Sequence, residues 1–256
     1  MIAYLDFGAF DSLYRRDGCT AADVAALRKS VYGREVTLAL SIHHIEEIVI
    51  ARRVSPQALS AQIRFTLSFA SLRYLLKPSA DLLIDEIRSY AASGAAGSPF
   101  LHGPAADAII SGIGELIESD GEEIAEDFVE ALELARARRG ELALMIDRAR
   151  AAAAAAPEGD RIVAAMRALA GAAGALAECD QRGIGGLMGL RSVRMAAGIA
   201  SEPPEPLAAD HAIAAAARAE IVVSADPRIR ELVARLSLDG LTSRGLPEFL
   251  DAIRSA

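Results

Sequence analysis

Hydrophobic spacing near the N-terminus switches between two periods. Residues 2–6 (Ile-Ala-Tyr-Leu-Asp) are a short apolar run ending in an acid, and residues 35–41 (Glu-Val-Thr-Leu-Ala-Leu-Ser) are a second β-prone run ending in a possible helix cap. Both predict buried strands. Between them Val24 and Leu27 carry helical spacing over 21–30, with Thr20 as N-cap and Asp23 in the first turn. After Ser41, Ile42, Ile45, Ile48 and Val49 recur at helical intervals. Strand, helix, strand, helix is an α/β opening.

Pro56 starts another helical pattern (Leu59, Ile63, Leu67, Leu72), and Pro78 precedes one in Leu82, Leu83, Ile84 and Ile87. A break rich in Gly, Ala, Ser and Pro covers 91–104. From there to about Pro206 the chain is nearly all helix-forming and no segment reads as a strand. Strand character returns at 220–224 (Glu-Ile-Val-Val-Ser), after an Ala-rich helix at 210–219 and before Asp226. A helix at 227–236, an extended piece near 238–242 and a final helix at 247–253 complete the pattern. The expected architecture is a discontinuous α/β domain, 1–92 with 203–256, interrupted by an all-α insertion at 93–202.

Composition narrows the function classes. The 256 residues are 52% hydrophobic, ample for a core, which excludes wholesale disorder. The formal charge of -8 argues against a uniformly basic nucleic-acid-binding surface. Residues 93–205 hold 10 bases and 18 acids whereas the remainder holds 17 of each, so the net charge resides in the insertion. Within it, 115–133 has nine acids and no base, while 134–195 has ten arginines against six acids, making that half the first candidate for phosphate contact.

Cys19 and Cys179 lie far apart without CxxC spacing, which points away from a disulfide framework or structural zinc and toward a reducing cytosol. No secretory signal is visible at the N-terminus. The most membrane-like stretch, 162–177, is 16 residues long and interrupted by Arg167, shorter than a bilayer span. The expectation is a cytoplasmic protein without membrane contact.

The informative chemistry is acidic. In open parallel sheets ligands bind at the carboxyl ends of strands, and Asp6 and Asp226 both stand at such ends. Glu46 and Glu47 fall on the helix after the second strand, and Asp210 opens the helix leading to the Asp226 strand. Should those strands adjoin, four carboxylates converge, and hard divalent cations relieve their repulsion. Mg²⁺ or Mn²⁺ is the expected cofactor, and phosphodiester hydrolysis by metal-activated water is its evident use.

These pieces resemble the PIN domain, the ribonuclease fold of VapC-type toxins. The resemblance rests on Tyr4-Leu5-Asp6, on Leu40-Ser41 followed by Glu47-Ile48, on Asp210 with Ile213-Ala214-Ala215, and on Val222-Val223-Ser224-Ala225-Asp226. It covers roughly 1–92 and 203–256 and implies a three-layer fold with a central parallel sheet. It further implies a metal-dependent endoribonuclease in which Asp6, Glu47, Asp210 and Asp226 hold the metal, directly or through water, while the Ser224 hydroxyl orients water or a carboxylate. RNA, an antitoxin or other protein, and a second copy of the chain are the partners to consider. The family usually places a small polar pair after its first aspartate, where Phe7-Gly8 stands here. That difference and the long insertion keep a second reading open, a non-catalytic PIN-like module whose insertion recruits a protein or RNA.

Adjacent helical positions point about 100° apart, so only one of Glu46 and Glu47 is expected to face the site. Glu47 is chosen for its spacing from Ser41, with Glu46 solvent-facing. His43 and His44 are expected as a capping or partly exposed pair, with the i, i+3 spacing of His44 and Glu47 a weak metal-site alternative, and His102 and His211 as surface residues, with a place near the site the alternative for His211 beside Asp210. Asp6-Phe7-Gly8 spells a kinase triplet without the accompanying motifs. Gly183-Ile184-Gly185-Gly186 follows no predicted strand and lacks a Gly-Lys-Ser/Thr ending, so it reads as a helix junction.

Overall fold

The computed structural model describes residues 1–51, 55–70, 72–122, 125–201 and 206–255. Five strands form one parallel sheet in the order β3-β2-β1-β4-β5. They are β1 (Ile2–Leu5), β2 (Thr37–Ser41), β3 (Leu75–Leu76), β4 (Ile221–Val223) and β5 (Thr242–Arg244). The inner strands, IAYL, TLALS and IVV, are almost wholly apolar, as strands covered on both faces must be.

Side-chain alternation sorts these strands between two cores. Ala3, Leu5, Leu38, Leu40, Ile221 and Val223 enter one, and Tyr4, Ala39 and Val222 the other. The first layer is supplied by α1 (Phe7–Arg15), α2 (Ala21–Tyr32), α3 (Ile42–Ala51), α4 (Pro56–Leu67), α6 (Pro104–Glu118) and α13 (Leu246–Ser255). The second contains α5 (Ser79–Ser93), α8 (Arg161–Ala172), α9 (Leu176–Arg182), α10 (Arg191–Ser201), α11 (Pro206–Arg218) and α12 (Pro227–Leu236).

The remaining helix, α7 (Glu126–Ala155), belongs to both. Its Phe128, Leu132 and Ala135 enter the first core, and its Leu142, Met145, Ile146, Ala149 and Ala153 the second. At 1.5 Å per residue a helix of 30 residues is about 45 Å long, enough to pass from one layer to the other. Residues described between 104 and 201 are helical with short connections and carry no strand, yet they share their cores with the sheet.

Local chemistry explains the starts of several helices. Asp6 caps α1 by accepting the Ala9 amide at 2.8 Å, and Thr20 with Asp23 forms a reciprocal capping box on α2. Pro56 and Pro227 occupy first-turn positions, where a missing N–H costs nothing.

Three elements differ from expectation. Helix α1 follows β1 directly, its polar Asp11 and Ser12 having masked the apolar face of Ala9, Phe10 and Leu13. Strand β3 has only two residues and leaves no period to read. The last strand lies at 242–244 rather than 238–242, because Leu238 and Leu241 are buried across a turn closed by a backbone hydrogen bond between them. Among the described residues no helix is long and apolar enough to cross a membrane.

Candidate functional site

The site lies where the sheet order reverses. Chain connections run from β1 outward to β2 and β3, then return to β4 on the other side of β1, opening a crevice beyond the carboxyl ends of β1 and β4. Leu5 is in register with Val223, and the Asp6 amide donates to the Val223 carbonyl at 2.9 Å. The two ends of the polypeptide therefore meet at this edge.

A cleft of about 150 Å³ occupies the crevice, lined by Asp6, Phe7, Gly8, Glu47, Ala208, His211, Ala212, Val222, Ser224 and Ile229. Of the five expected site residues, Asp6, Glu47 and Ser224 thus share one cavity. Asp226 stands two residues beyond Ser224 and does not line it. Its Oδ1 caps α12 by accepting the Arg228 amide at 2.8 Å, and its own amide donates to Ser224 Oγ at 3.0 Å.

Asp210 is placed differently. It is fully buried, its Oδ2 lies 2.5 Å from Nε of Arg139 on α7, and its Oδ1 is buried without a hydrogen-bond partner. Glu46 belongs to the same cluster, with Oε2 2.6 Å from an Arg139 terminal nitrogen and Oε1 3.2 Å from Nε of Arg136. His43 Nδ1 stands 3.7 Å from Glu46 and 3.8 Å from Asp210, beyond hydrogen-bonding distance.

Glu46 is therefore buried rather than solvent-facing. Helix α3 is packed between α4, α7 and α11 as well as its own strand, so both adjacent glutamates turn inward, toward different polar neighbourhoods. Burial pushes the Glu46 carboxyl up, but His43 and Arg139 pull it on balance below its ordinary value. Glu47 lacks such compensation. Burial pushes its pKa up to about 7, against partial opposition from His44, His43 and Arg139.

The histidines also depart from expectation in their burial, although His44 does cap the start of α3 by accepting the Ser41 amide. His43, His44 and His211 are buried, and the His44 and His211 rings lie 4.8 Å apart. The hydrogen bonds of His44 and His211 form a continuous chain, while His43 Nε2 meets Ser79 Oγ at 3.0 Å. His211 Nε2 meets Glu47 Oε2 at 2.7 Å, His211 Nδ1 meets the Tyr4 hydroxyl at 2.5 Å, and Tyr4 meets Ser41 Oγ at 2.8 Å. The Ser41 amide donates to His44 Nδ1 at 3.0 Å, leaving His44 Nε2 to donate to the Leu5 carbonyl at 2.6 Å. Burial lowers His44 to about 3 and His211 to about 4, so both rings are neutral at pH 7.

Sequence reasoning missed Arg136, Arg139 and the role of Tyr4, and favoured the surface for His211. The i, i+3 spacing of Arg136 and Arg139 on one helix face and the placement of His211 inside an Ala-rich apolar helix are signals for those three, and no signal marks Tyr4 beyond its strand. Many arginines of 134–195 are occupied by protein groups. Arg138 pairs with Asp81 and Glu141, Arg150 with Asp147 and Arg167 with Asp180, while Arg182 donates to Ala91 and Ala92 carbonyls. Next to the cleft residue Ser224, Arg230 donates to its carbonyl and Arg228 lies 3.6 Å from Asp226.

Asp6 and Glu47 suit a hard divalent cation, being oxygen donors on one cleft with Glu47 short of positive charge. Asp210, already neutralised by Arg139, does not fit that role in this arrangement. Among the described residues no three acids, histidines or cysteines are grouped closely enough to hold a metal. Compared with models of protein families, with curated proteins and with solved structures, the chain has no match in any of the three.

Proposed function

We propose that the chain is a metal-dependent, PIN-like endoribonuclease. The observation that carries this reading is the convergence of Asp6, Glu47 and Ser224 on one cleft at the reversal point of a parallel sheet, with Asp226 two residues farther along. Asp6 and Glu47 would hold Mg²⁺ or Mn²⁺, with Asp226 contributing through water. When bound, the ion would supply an activated water and charge to neutralise the attacked phosphate.

The chain's own residues do the rest. Phe7, Val222, Ile229 and the alanines of α11 give the cleft an apolar wall that limits bulk water and strengthens the field of its carboxylates. Ser224 holds the turn that carries Asp226. Arg228 and Arg230 offer phosphate contacts beside an otherwise acidic opening.

The second reading, a non-catalytic module, has support from Asp210, whose charge Arg139 already satisfies, and from Phe7-Gly8 beside Asp6. Mn²⁺ calorimetry with an RNA cleavage assay separates the two. Saturable Mn²⁺ uptake, and cleavage lost both in EDTA and in Asp6→Asn, support the enzyme. Cleavage that survives EDTA rejects the metal mechanism, and absence of both uptake and cleavage at millimolar Mn²⁺ leaves the module.

A further inference from the structure

We infer that His211 is the positioning residue for Glu47, its Nδ1 engaged by Tyr4 and its Nε2–H fixing the direction of the Glu47 carboxylate into the cleft. The inference rests on the metal-site reading only in naming Glu47 as a ligand. The sense of the hydrogen bonds follows from which groups are able to donate.

A backbone amide only donates and a backbone carbonyl only accepts, so the Ser41 amide and the Leu5 carbonyl fix His44 as an Nδ1 acceptor and Nε2 donor. In its ionised form, the one that would hold a cation, Glu47 likewise only accepts, which places the His211 proton on Nε2. His211 Nδ1 then accepts from Tyr4, and the one Ser41 hydroxyl proton faces two acceptors, the Tyr4 oxygen at 2.8 Å and His44 Nδ1 at 3.2 Å. Tyr4, His211 and Glu47 thus form a chain with one sense, running from β1 to the cleft wall.

Geometry leaves His211 little freedom to do otherwise. Its ring is buried, stands edge-on to His44 and lies 5.7 Å from the Tyr4 ring, while both nitrogens are engaged. A carboxylate on a helix has several rotamers, and holding one of them toward the ion is the usual work of a partner behind a metal ligand. Such partners are worth about 10- to 100-fold in metal affinity.

The test has two readouts. Histidine ¹⁵N shifts at mildly alkaline pH, without metal, are expected to show His211 as the Nε2–H tautomer in the wild type and as a mixture in Glu47→Gln, whose amide either donates or accepts. Mn²⁺ calorimetry is expected to show about 10- to 100-fold weaker uptake in His211→Phe, with much of it restored in His211→Gln, whose amide again donates. A predominantly Nδ1–H wild type overturns the proposal. Wild-type uptake that His211→Phe leaves unchanged overturns the positioning role alone, and a wild type that takes up no Mn²⁺ overturns the metal reading of Glu47 and this role with it.

Discussion

Nε of Arg139 lies 2.5 Å from Oδ2 of Asp210, joining the middle of the longest helix to the residue expected as the third acid of the site. Arg139 also reaches Glu46, so one guanidinium compensates two fully buried carboxylates. Removing one partner of a buried pair strands the other charge, at a cost of about 3–5 kcal/mol. Arg139→Met is therefore expected to unfold in urea at a markedly lower midpoint than wild type. A loss below about 1 kcal/mol, the range of exposed pairs, would show that the cluster is wetter than its burial indicates.

The same contact separates Asp210 from Asp6 in function. Asp210→Asn is expected to lower stability, because Arg139 loses its charged acceptor, while Mn²⁺ uptake persists. Asp6→Asn is expected to fold well, since asparagine also caps helices, and to abolish uptake. Calorimetry alongside thermal unfolding of both variants checks the pair of outcomes; abolished uptake in Asp210→Asn would return that residue to the ligand set.

Much of the scaffold could be read from the chain. The apolar run at 2–6, the β-prone run at 35–41 and the Ile-Val-Val run near 221 located the three inner strands, because each is covered on both faces and is almost wholly apolar. Asp6 and Asp226 followed from strand ends, a position fixed by local sequence, and Ser224 from the family resemblance. What escaped was decided by the insertion. Nothing near Glu46 announces that Arg136 and Arg139, some ninety residues away, supply the charge that allows its burial. His211 was misplaced at the surface for the same reason, as its partners Tyr4 and Glu47 are brought by strands and helices far along the chain.

Glu86 gives a pH-dependent prediction away from the cleft. It sits on α5, buried, with Oε1 accepting from Ser192 Oγ and Oε2 lacking a partner. Burial pushes its pKa from 4.5 up to about 7, which Ser192 and Arg191 oppose only in part. A carboxyl raised in the native state favours folding fully below its unfolded pKa, and that contribution is lost as pH rises through 7. At 1.36 kcal/mol per unit the loss is about 3 kcal/mol. His44 and His211 act in the other direction, losing stability as pH falls from 6.5 toward their lowered values, so the raw curve mixes signs. The wild type minus Glu86→Gln difference isolates Glu86. It is expected to fall by up to about 3 kcal/mol between about pH 5 and about pH 8, and parallel curves would remove the assignment.

Two glycines of α6 are expected to respond to alanine with opposite signs. In a helix interior Gly→Ala gains about 1 kcal/mol where there is room. A Cβ on Gly114 meets nothing within 4 Å, so Gly114→Ala should raise the urea midpoint. On Gly112 it would lie 2.3 Å from Cβ of Phe128, a fully buried side chain on α7. A Cβ moves only with its backbone, so rotamer changes cannot relieve the contact and α6 must separate from α7. Overpacking of this kind costs about 1–3 kcal/mol, which exceeds the helical gain. The expected order of midpoints is Gly114→Ala, wild type, Gly112→Ala. Because α7 also carries Arg136 and Arg139, the displaced helix in Gly112→Ala should loosen the Glu46 and Asp210 contacts as well. Slowed amide exchange at the centre of α7 should then be lost in that variant and kept in Gly114→Ala.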